Sequence, residues 1–156
     1  MSDLAVGSPV PTQDERTMST LAHVLQLVGW WIAPLIIFLV KRESRFVSFH
    51  ALQALLLQIV YMAVMACFMA LWFVSFFLMF AHESATKNAP PPAGFFVLFP
   101  LVWLGFMGMW IVMLVVAIVY GIKAGRGEWA EYPVLGGLAR RILKVGPGGS
   151  EFPAQA

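Results

Sequence analysis

The distribution of charged residues along the chain limits the possible folds more than any other feature of the sequence. Lys, Arg, Asp and Glu are absent from three long runs, at residues 17–40, 46–81 and 89–122. Each run exceeds the roughly 20 residues that a helix needs to cross the apolar core of a bilayer. Only 12% of the 156 residues are charged, about half the share found in an ordinary soluble domain. The sequence therefore predicts a polytopic membrane protein and excludes a soluble globular one.

The predicted fold class is all-α, an integral membrane protein with three transmembrane helices and a short amphipathic C-terminal helix. Short polar segments and a Pro-Pro-Pro sequence separate the uncharged runs and set the helix bounds. The predicted parts are a disordered N-terminal tail (1–16), a membrane domain (17–133) with spans at about 19–40, 47–80 and 95–122, an interfacial helix (134–145) and a flexible C-terminal tail (146–156).

The positive charges beside the spans predict an orientation. The N-terminal tail carries one Lys or Arg, the first loop three, the second loop one and the C-terminal region five. Short cytoplasmic segments of membrane proteins carry an excess of Lys and Arg. The counts therefore predict a multi-pass protein of the bacterial cytoplasmic (inner) membrane, with its N-terminus outside and its C-terminus in the cytoplasm.

The segment after the last span has an amphipathic pattern. When residues 134–145 are projected on a helix, the apolar side chains cover one half and Arg140, Arg141 and Lys144 cluster on the other. Such a helix is typical of membrane surfaces, where the basic residues contact anionic head groups. We expect the three basic residues to bind lipid head groups of the inner leaflet, whereas a net charge of +2 does not favour nucleic acid as a partner.

Polar residues are rare in the spans and are the candidates for a functional site: His23, Gln26, His50, Gln53, Gln58 and Tyr61. Helical spacing places His23 with Gln26 on one face and His50 with Gln53 on another. Polar faces of this kind point into a helix bundle and away from lipid. They are compatible with a groove for a substrate segment, or with interhelical hydrogen bonds that only hold the bundle together.

No catalytic residues or cofactor are predicted. The spans contain no carboxylate, and motifs of intramembrane hydrolysis such as HExxH and GxSxG are absent from the sequence, which favours a non-enzymatic protein. His23 near the outer end of the first span and His50 near the inner end of the second are expected to differ in depth by about 20 Å. They are therefore not expected to share one metal ion within a single copy of the chain.

Three stretches, read in order, resemble a known family. They are ERTMSTLAH, PLIIFLVKRESRFVSFHALQALLLQ and IKAGRGEWAEYP. Together they resemble an uncharacterised bacterial membrane family that is similar to the twenty-kilodalton component of the chloroplast inner-envelope protein translocon. The resemblance covers about residues 14–135. The matching motif positions are His23, Phe46, Phe49, His50, Gln53, Gly127, Glu128, Tyr132 and Pro133.

The resemblance implies a component of protein translocation or membrane-protein assembly that acts with other membrane proteins. The polar residues leave open a different class, a small channel or transporter subunit built from several copies of the chain. Because Phe46–Gln53 and Gly127–Pro133 would both lie at the cytoplasmic interface, we expect His50 and Gln53 to hydrogen-bond the turn at 127–133.

Overall fold

The computed structural model describes residues 10–86, 90 and 93–146, and the regular structure in this part of the chain is helical. The helices are α1 (Gln13–Val24), α2 (Gln26–Gly29), α3 (Ile32–Val40), α4 (Arg45–Thr86), α5 (Ala93–Gly125) and α6 (Leu135–Leu143). The chain divides into two compact units. The first unit is Met1–Ile59 with Leu114–Ala156, and the second unit is Val60–Met113. The all-α prediction is confirmed for the described residues.

The first helix begins earlier than the predicted end of the N-terminal tail. Thr12 caps α1 through a capping box, in which its hydroxyl accepts from the Glu15 N–H at 3.3 Å and Glu15 Oε2 accepts from the Thr12 N–H at 2.7 Å. These bonds satisfy backbone donors that a helix start leaves without a partner. Residues 13–16 are therefore helical. Of the predicted tails, residues 1–9 and 147–156 lie outside the described residues.

The prediction of three continuous spans is not confirmed, because the first uncharged run is divided into three short helices. Leu25 separates α1 from α2, and Trp30, with φ 51° and ψ −136°, has a backbone conformation that no helix can contain. A Cβ on Gly29 would lie 2.7 Å from the Ala33 Cβ, so the turn depends on a residue without a side chain. Pro34 is in the first turn of α3, where its missing N–H costs nothing.

Two helices are long and apolar enough to cross a membrane, namely α4 with 42 residues and α5 with 33. They contain the second and third predicted spans, 47–80 and 95–122, and extend beyond them at both ends. Their best 18-residue windows have mean hydropathies of 2.3 and 2.5. Both helices also exceed the length that a bilayer core requires.

The first unit brings the N-terminal helix against the two ends of the long helices that it contains. Lys41 Nζ lies 2.8 Å from Asp14 Oδ2, and the Ser44 hydroxyl donates to Glu15 Oε1 at 2.6 Å. These bonds hold the start of α1 beside the α3–α4 connection. On another side of α1, the Thr20 hydroxyl donates to the Gly121 carbonyl of α5 at 3.1 Å. Helix α1 is therefore anchored at its N-terminus and at its middle.

The second unit consists of the remaining parts of α4 and α5, which pack through aromatic side chains. The rings of Phe68 and Phe106 lie 5.7 Å apart, and the Phe68 ring covers Gly105. Beside this contact lies an open apolar groove of about 540 Å³. Trp, Met, Phe and Tyr side chains line it, among them the predicted site residue Tyr61.

Helix α6 is shorter than the predicted segment 134–145 because residues with a positive φ bound it at both sides. Val134 has φ 67°, and Lys144, the C-cap, has φ 53° in the left-handed helical region. Gly136 allows close packing, since a Cβ there would lie 2.6 Å from the Glu131 Cβ and 3.0 Å from Gln53 Oε1. The helix is therefore held closely against the preceding segment.

Candidate functional site

The first unit contains a buried group of five polar side chains, here called the polar cluster: His23, Gln26, His50, Gln53 and Tyr132. None of them is more than 3% exposed. They come from α1, α2, the first turns of α4 and the segment before α6. All five are among the residues that the sequence singled out.

The expected separation of the two histidines is wrong. His23 Nε2 lies 3.0 Å from His50 Nδ1, and the ring centroids are 5.2 Å apart with the rings nearly perpendicular. The depth estimate of about 20 Å assumed a straight first span that runs through the membrane from the outside. Because that run is broken and α1 begins beside the α3–α4 connection, His23 reaches the level of His50 instead.

The hydrogen bonds of the histidines determine which nitrogen carries each proton. The Glu128 carbonyl can only accept, so His50 Nε2 donates to it at 3.1 Å. A neutral His50 then accepts at Nδ1 from His23 Nε2, and His23 Nδ1 accepts from the Tyr132 hydroxyl at 2.7 Å. The result is a chain of three hydrogen bonds that all point from Tyr132 towards Glu128.

The environment favours the neutral forms of Tyr132 and His23, the first two members of this hydrogen-bond chain. Burial, with the neighbouring His50 as a second cause, holds the pKa of His23 well below its ordinary value. Burial likewise raises the pKa of the Tyr132 hydroxyl, and this outweighs the opposite effect of the nearby Gln26 amide. Tyr132 therefore keeps the proton that it donates to His23.

The same geometry does not resemble a metal site. His23 uses its two nitrogens for two different partners, so the side chains form a line and do not converge on one point. Among the described residues, no group of three or more His, Cys, Asp or Glu side chains could hold a metal ion. The hydrogen-bonded line ends at a backbone carbonyl, which cannot pass a proton further. The arrangement is suited to holding segments together.

Gln53 holds the segment before α6 with both ends of its amide. Its Nε2 donates to the Ala130 carbonyl at 3.2 Å, and its Oε1 accepts from the Tyr132 N–H at 2.6 Å. Together with the bond from His50 to Glu128, these are the hydrogen bonds that we expected between α4 and the turn at 127–133. Three backbone groups of that turn are thus bound by side chains about 80 residues earlier in the chain.

Aromatic side chains close the polar cluster on one side. Phe46 and Phe49, both 3% exposed or less, contact the His50 ring at centroid distances of 4.6 and 5.4 Å. The Trp129 ring packs against both phenylalanines at 5.2 and 5.3 Å. The Tyr120 ring lies 4.3 Å from that of Tyr132. These contacts keep water away from the buried hydrogen bonds, which strengthens them.

The other predicted site residues either contribute backbone groups to the site or lie away from the polar cluster. Gly127 has φ 82°, a conformation that favours glycine, and the Arg16 guanidinium lies against it. Glu128 contributes its carbonyl while its side chain is exposed, and Pro133 is exposed. Gln58 is buried, but its Oε1 has no hydrogen-bond partner within the described residues. Tyr61 belongs to the second unit and its groove.

Arg140 does not have the role expected from the amphipathic pattern. It is only 8% exposed, its Nε lies 2.7 Å from Glu131 Oε1, and its guanidinium lies 4.8 Å from the Phe49 ring centroid. It also donates to the Gly146 carbonyl. Arg140 therefore holds α6 against the first unit, whereas Arg141 and Lys144 are exposed. The helical projection could not show this, because it contains no information on which side of α6 the protein occupies.

Some contributors to the site were not predicted from the sequence. Ser19, one turn before His23 in α1, is fully buried, and Trp129, Glu131 and Tyr120 all contact or orient residues of the site. Trp129 lies in the stretch GEWAEYP, and Tyr120 lies near the end of α5. Aromatic residues at such places are usually attributed to the membrane interface. Only their neighbours in space reveal the second role.

Comparison with known families identifies a matching family. The model of the magnetosome magnetite crystal formation protein family, MamF/MmsF, matches residues 14–139. The matched range begins in the first turn of α1 and ends inside α6, so it includes the whole polar cluster. No curated protein and no solved structure matches the chain.

This match overturns the resemblance to the chloroplast translocon component. The stretches that carried that resemblance lie almost entirely inside the range that the MamF/MmsF family matches. The motif order therefore belongs to a different family, and a role in protein translocation has no support. The resemblance rested on nine motif positions, and the family that the chain matches contains all of them within its matched range.

Proposed function

This chain belongs to the MamF/MmsF family of magnetosome magnetite crystal formation proteins, and we propose from that membership that it takes part in forming magnetite crystals. In this proposal it is a non-enzymatic, integral protein of the membrane that encloses the crystal. The observation that carries the proposal is the family match over residues 14–139, which includes both candidate spans and the polar cluster.

The geometry of the polar cluster supports a non-enzymatic role. The imidazoles, the Gln53 amide and the Tyr132 hydroxyl bind one another and the backbone of residues 128–132. Groups that are occupied in this way are not available to a substrate, and among the described residues the Gln26 amide is the one member of the cluster whose side chain has no hydrogen-bond partner. The cluster serves to join α1, α4 and the segment after α5 into one unit, from which the protein contacts its surroundings.

If α4 and α5 are the two membrane crossings, the segments before α4 and after α5 lie on the same side of the membrane. A salt bridge between Asp14 and Lys41 and the bond between His23 and His50 favour this arrangement, because they set α1 at the level where α4 begins. The charge distribution agrees, since the connection between α4 and α5 has only Lys87 as a positive residue. We therefore replace the predicted outside N-terminus by a cytoplasmic one.

Residues 13–40 then form a re-entrant hairpin that enters and leaves the membrane on the cytoplasmic side. With 12 residues in α1 and 9 in α3, each arm is about half as long as a bilayer core is thick. The residues near the tip are apolar and exposed, including Val28, Trp30 and Ile32. Irregular backbone at this depth is tolerated where the protein shields its polar groups.

In this arrangement, the connection between the spans is the part that faces away from the cytoplasm, towards the crystal. It offers few iron ligands, because His82 and Glu83 are the only imidazole and the only carboxylate in residues 82–93, and iron is bound through such side chains. We therefore propose that the chain affects the crystal mainly through the membrane and neighbouring proteins, and not as a mineral template.

The role is tested by deleting the gene in a magnetite-forming bacterium and measuring crystal size and number by electron microscopy. We expect smaller or fewer crystals, restored by the wild-type chain and by Gln58→Leu but not by Gln53→Leu, which opens the polar cluster. Unchanged crystals in the deletion strain would contradict the proposal.

The topology is tested separately with reporters fused before Met1 and after Ala156. Both are expected to report the cytoplasm, and a reporter inserted next to Lys87 is expected to report the opposite side. A non-cytoplasmic signal from the N-terminal fusion would restore the arrangement with three spans.

A further inference from the structure

We propose that the exposed face of α6 lies among the lipid head groups of the membrane that α4 and α5 cross, with anionic lipid as its partner. The inference rests on the membrane location in the proposed function and adds a binding surface to it. It depends on three features of the first unit: the orientation of α6, its level relative to α4, and the placement of its charges.

The orientation of α6 is fixed by its buried side. Gly136, Ala139 and Arg140 face the protein, and the bond from Arg140 to Glu131 together with the Phe49 contact prevents the helix from turning. Val134 lies just before the helix, and the opposite side of α6 carries Leu138 and Ile142, which are four positions apart. These are 89%, 43% and 53% exposed. The helix therefore presents an apolar stripe away from the protein.

The level of α6 is set by contacts to both long helices. Its buried side meets Phe49 and Gln53, which lie in the first three turns of α4. The Tyr120 hydroxyl, from the last turns of α5, donates to the Glu131 carbonyl at 2.9 Å. The stripe therefore lies where the candidate spans begin and end, which is the depth at which an interfacial helix inserts its apolar side.

The charges on the exposed side identify the partner. Arg141 and Lys144 are exposed and project along the edge of the aliphatic stripe, and Arg126, just after α5, is exposed as well. A surface that combines an apolar stripe with a basic edge matches an anionic leaflet. A second copy of the chain would oppose the same positive charges to each other, so charge complementarity favours lipid over self-association.

The test uses the full chain in nanodiscs, with Cys67 replaced by Ala because it is the only cysteine in the sequence. A fluorophore is attached to Ile142→Cys on the stripe or, as a matched control in the same helix, to Gly137→Cys. Gly137 is exposed on the basic edge of the same face, and a Cβ added there would have nothing within 4 Å. Quenching by brominated lipids is measured in discs of phosphatidylcholine alone and of phosphatidylcholine with phosphatidylglycerol.

We expect brominated lipids to remove about half of the fluorescence at position 142 and little at position 137. Combining Arg141→Gln with Lys144→Gln is expected to lower quenching at 142 in the anionic discs and to leave it unchanged in the neutral ones. Equal quenching at both positions, no quenching at either, or no effect of the two charge substitutions would overturn the inference. Disulfide-linked dimers of Ile142→Cys would assign the face to a second copy instead. These readouts do not depend on crystals, so their failure is distinguishable from failure of the proposed function.

Discussion

Replacing Gln53 with Leu tests whether the polar cluster holds the first unit together. The change keeps the side-chain size but removes the donor to the Ala130 carbonyl and the acceptor of the Tyr132 N–H. Each hydrogen bond contributes about 0.5–1.5 kcal/mol, and each buried group left without a partner costs about 1–3 kcal/mol. The two groups left without a partner give an expected loss of about 2–6 kcal/mol, most of it in the attachment of residues 126–134.

Gln58→Leu is the matched control, since Gln58 lies in the same helix and is 3% exposed, against 0% for Gln53. Its Oε1 has no partner among the described residues, so removing it is expected to change stability by less than about 1 kcal/mol. The two variants therefore differ in hydrogen bonding much more than in burial or hydrophobicity.

The assay is limited trypsin digestion of the purified protein in nanodiscs, with cleavage after Arg126 identified by mass spectrometry. Arg126 is exposed and directly precedes the segment that Gln53 holds. A local loss of about 2 kcal/mol raises the open population roughly 30-fold, so cleavage is expected to be at least about tenfold faster in Gln53→Leu. Equal cleavage rates in Gln53→Leu and Gln58→Leu would refute the conclusion that Gln53 holds the segment before α6 in place.

Three further predictions use thermal unfolding in detergent. Gly136→Ala is expected to lower the melting temperature, because overpacking against Glu131 costs about 1–3 kcal/mol and exceeds the gain in helix propensity. Gly137→Ala has open space around it and is expected to raise the melting temperature. A change of the same sign in both variants would contradict the packing. Tyr132→Phe is expected to destabilise by about 1–3 kcal/mol, since it leaves His23 Nδ1 buried without its donor; an unchanged melting temperature would show that the bond contributes nothing. Lowering the pH from about 7.5 to about 5.5 is expected to destabilise the protein. The unfolded chain protonates His23 near pH 6.5, whereas the folded chain does not, because the pKa of His23 is lowered there. A His23→Gln variant with the same pH dependence would exclude His23 as the cause.

The sequence was sufficient to predict the long helices but not the path of the first run. Absence of charge over 46–81 and 89–122 predicted α4 and α5 because such lengths have few other solutions than a membrane helix. Residues 17–40 have the same composition, yet the chain breaks at Trp30, where the positive φ and the close approach of Gly29 to Ala33 are properties of the folded backbone. Hydropathy cannot separate a continuous span from a hairpin of the same residues.

The candidate site shows the same limit. The expectation that residues 46–53 and 127–133 lie at the same interface correctly selected His50 and Gln53 as neighbours of the turn at 127–133. Depth counted along the first run separated His23 from His50 by about 20 Å, and this was wrong because that run is not one continuous helix. One wrong element was therefore enough to misplace a residue whose type and burial had been recognised.

The hydrogen bond between His23 and Tyr132 joins residues that are 109 positions apart, and this has a consequence for synthesis. When α1 to α3 leave the ribosome, the partners of α1 in α5 and in the segment before α6 do not yet exist. Helix α1 can bond Lys41, Ser44 and His50 once α4 begins, but its bonds to Gly121 and Tyr132 form only when nearly the whole chain has been made. Long-range contacts of this kind form late and slowly. A nascent chain that stops before residue 132 keeps both candidate spans but lacks the hydroxyl that donates to His23 Nδ1, so the buried chain of hydrogen bonds is completed only near the end of synthesis.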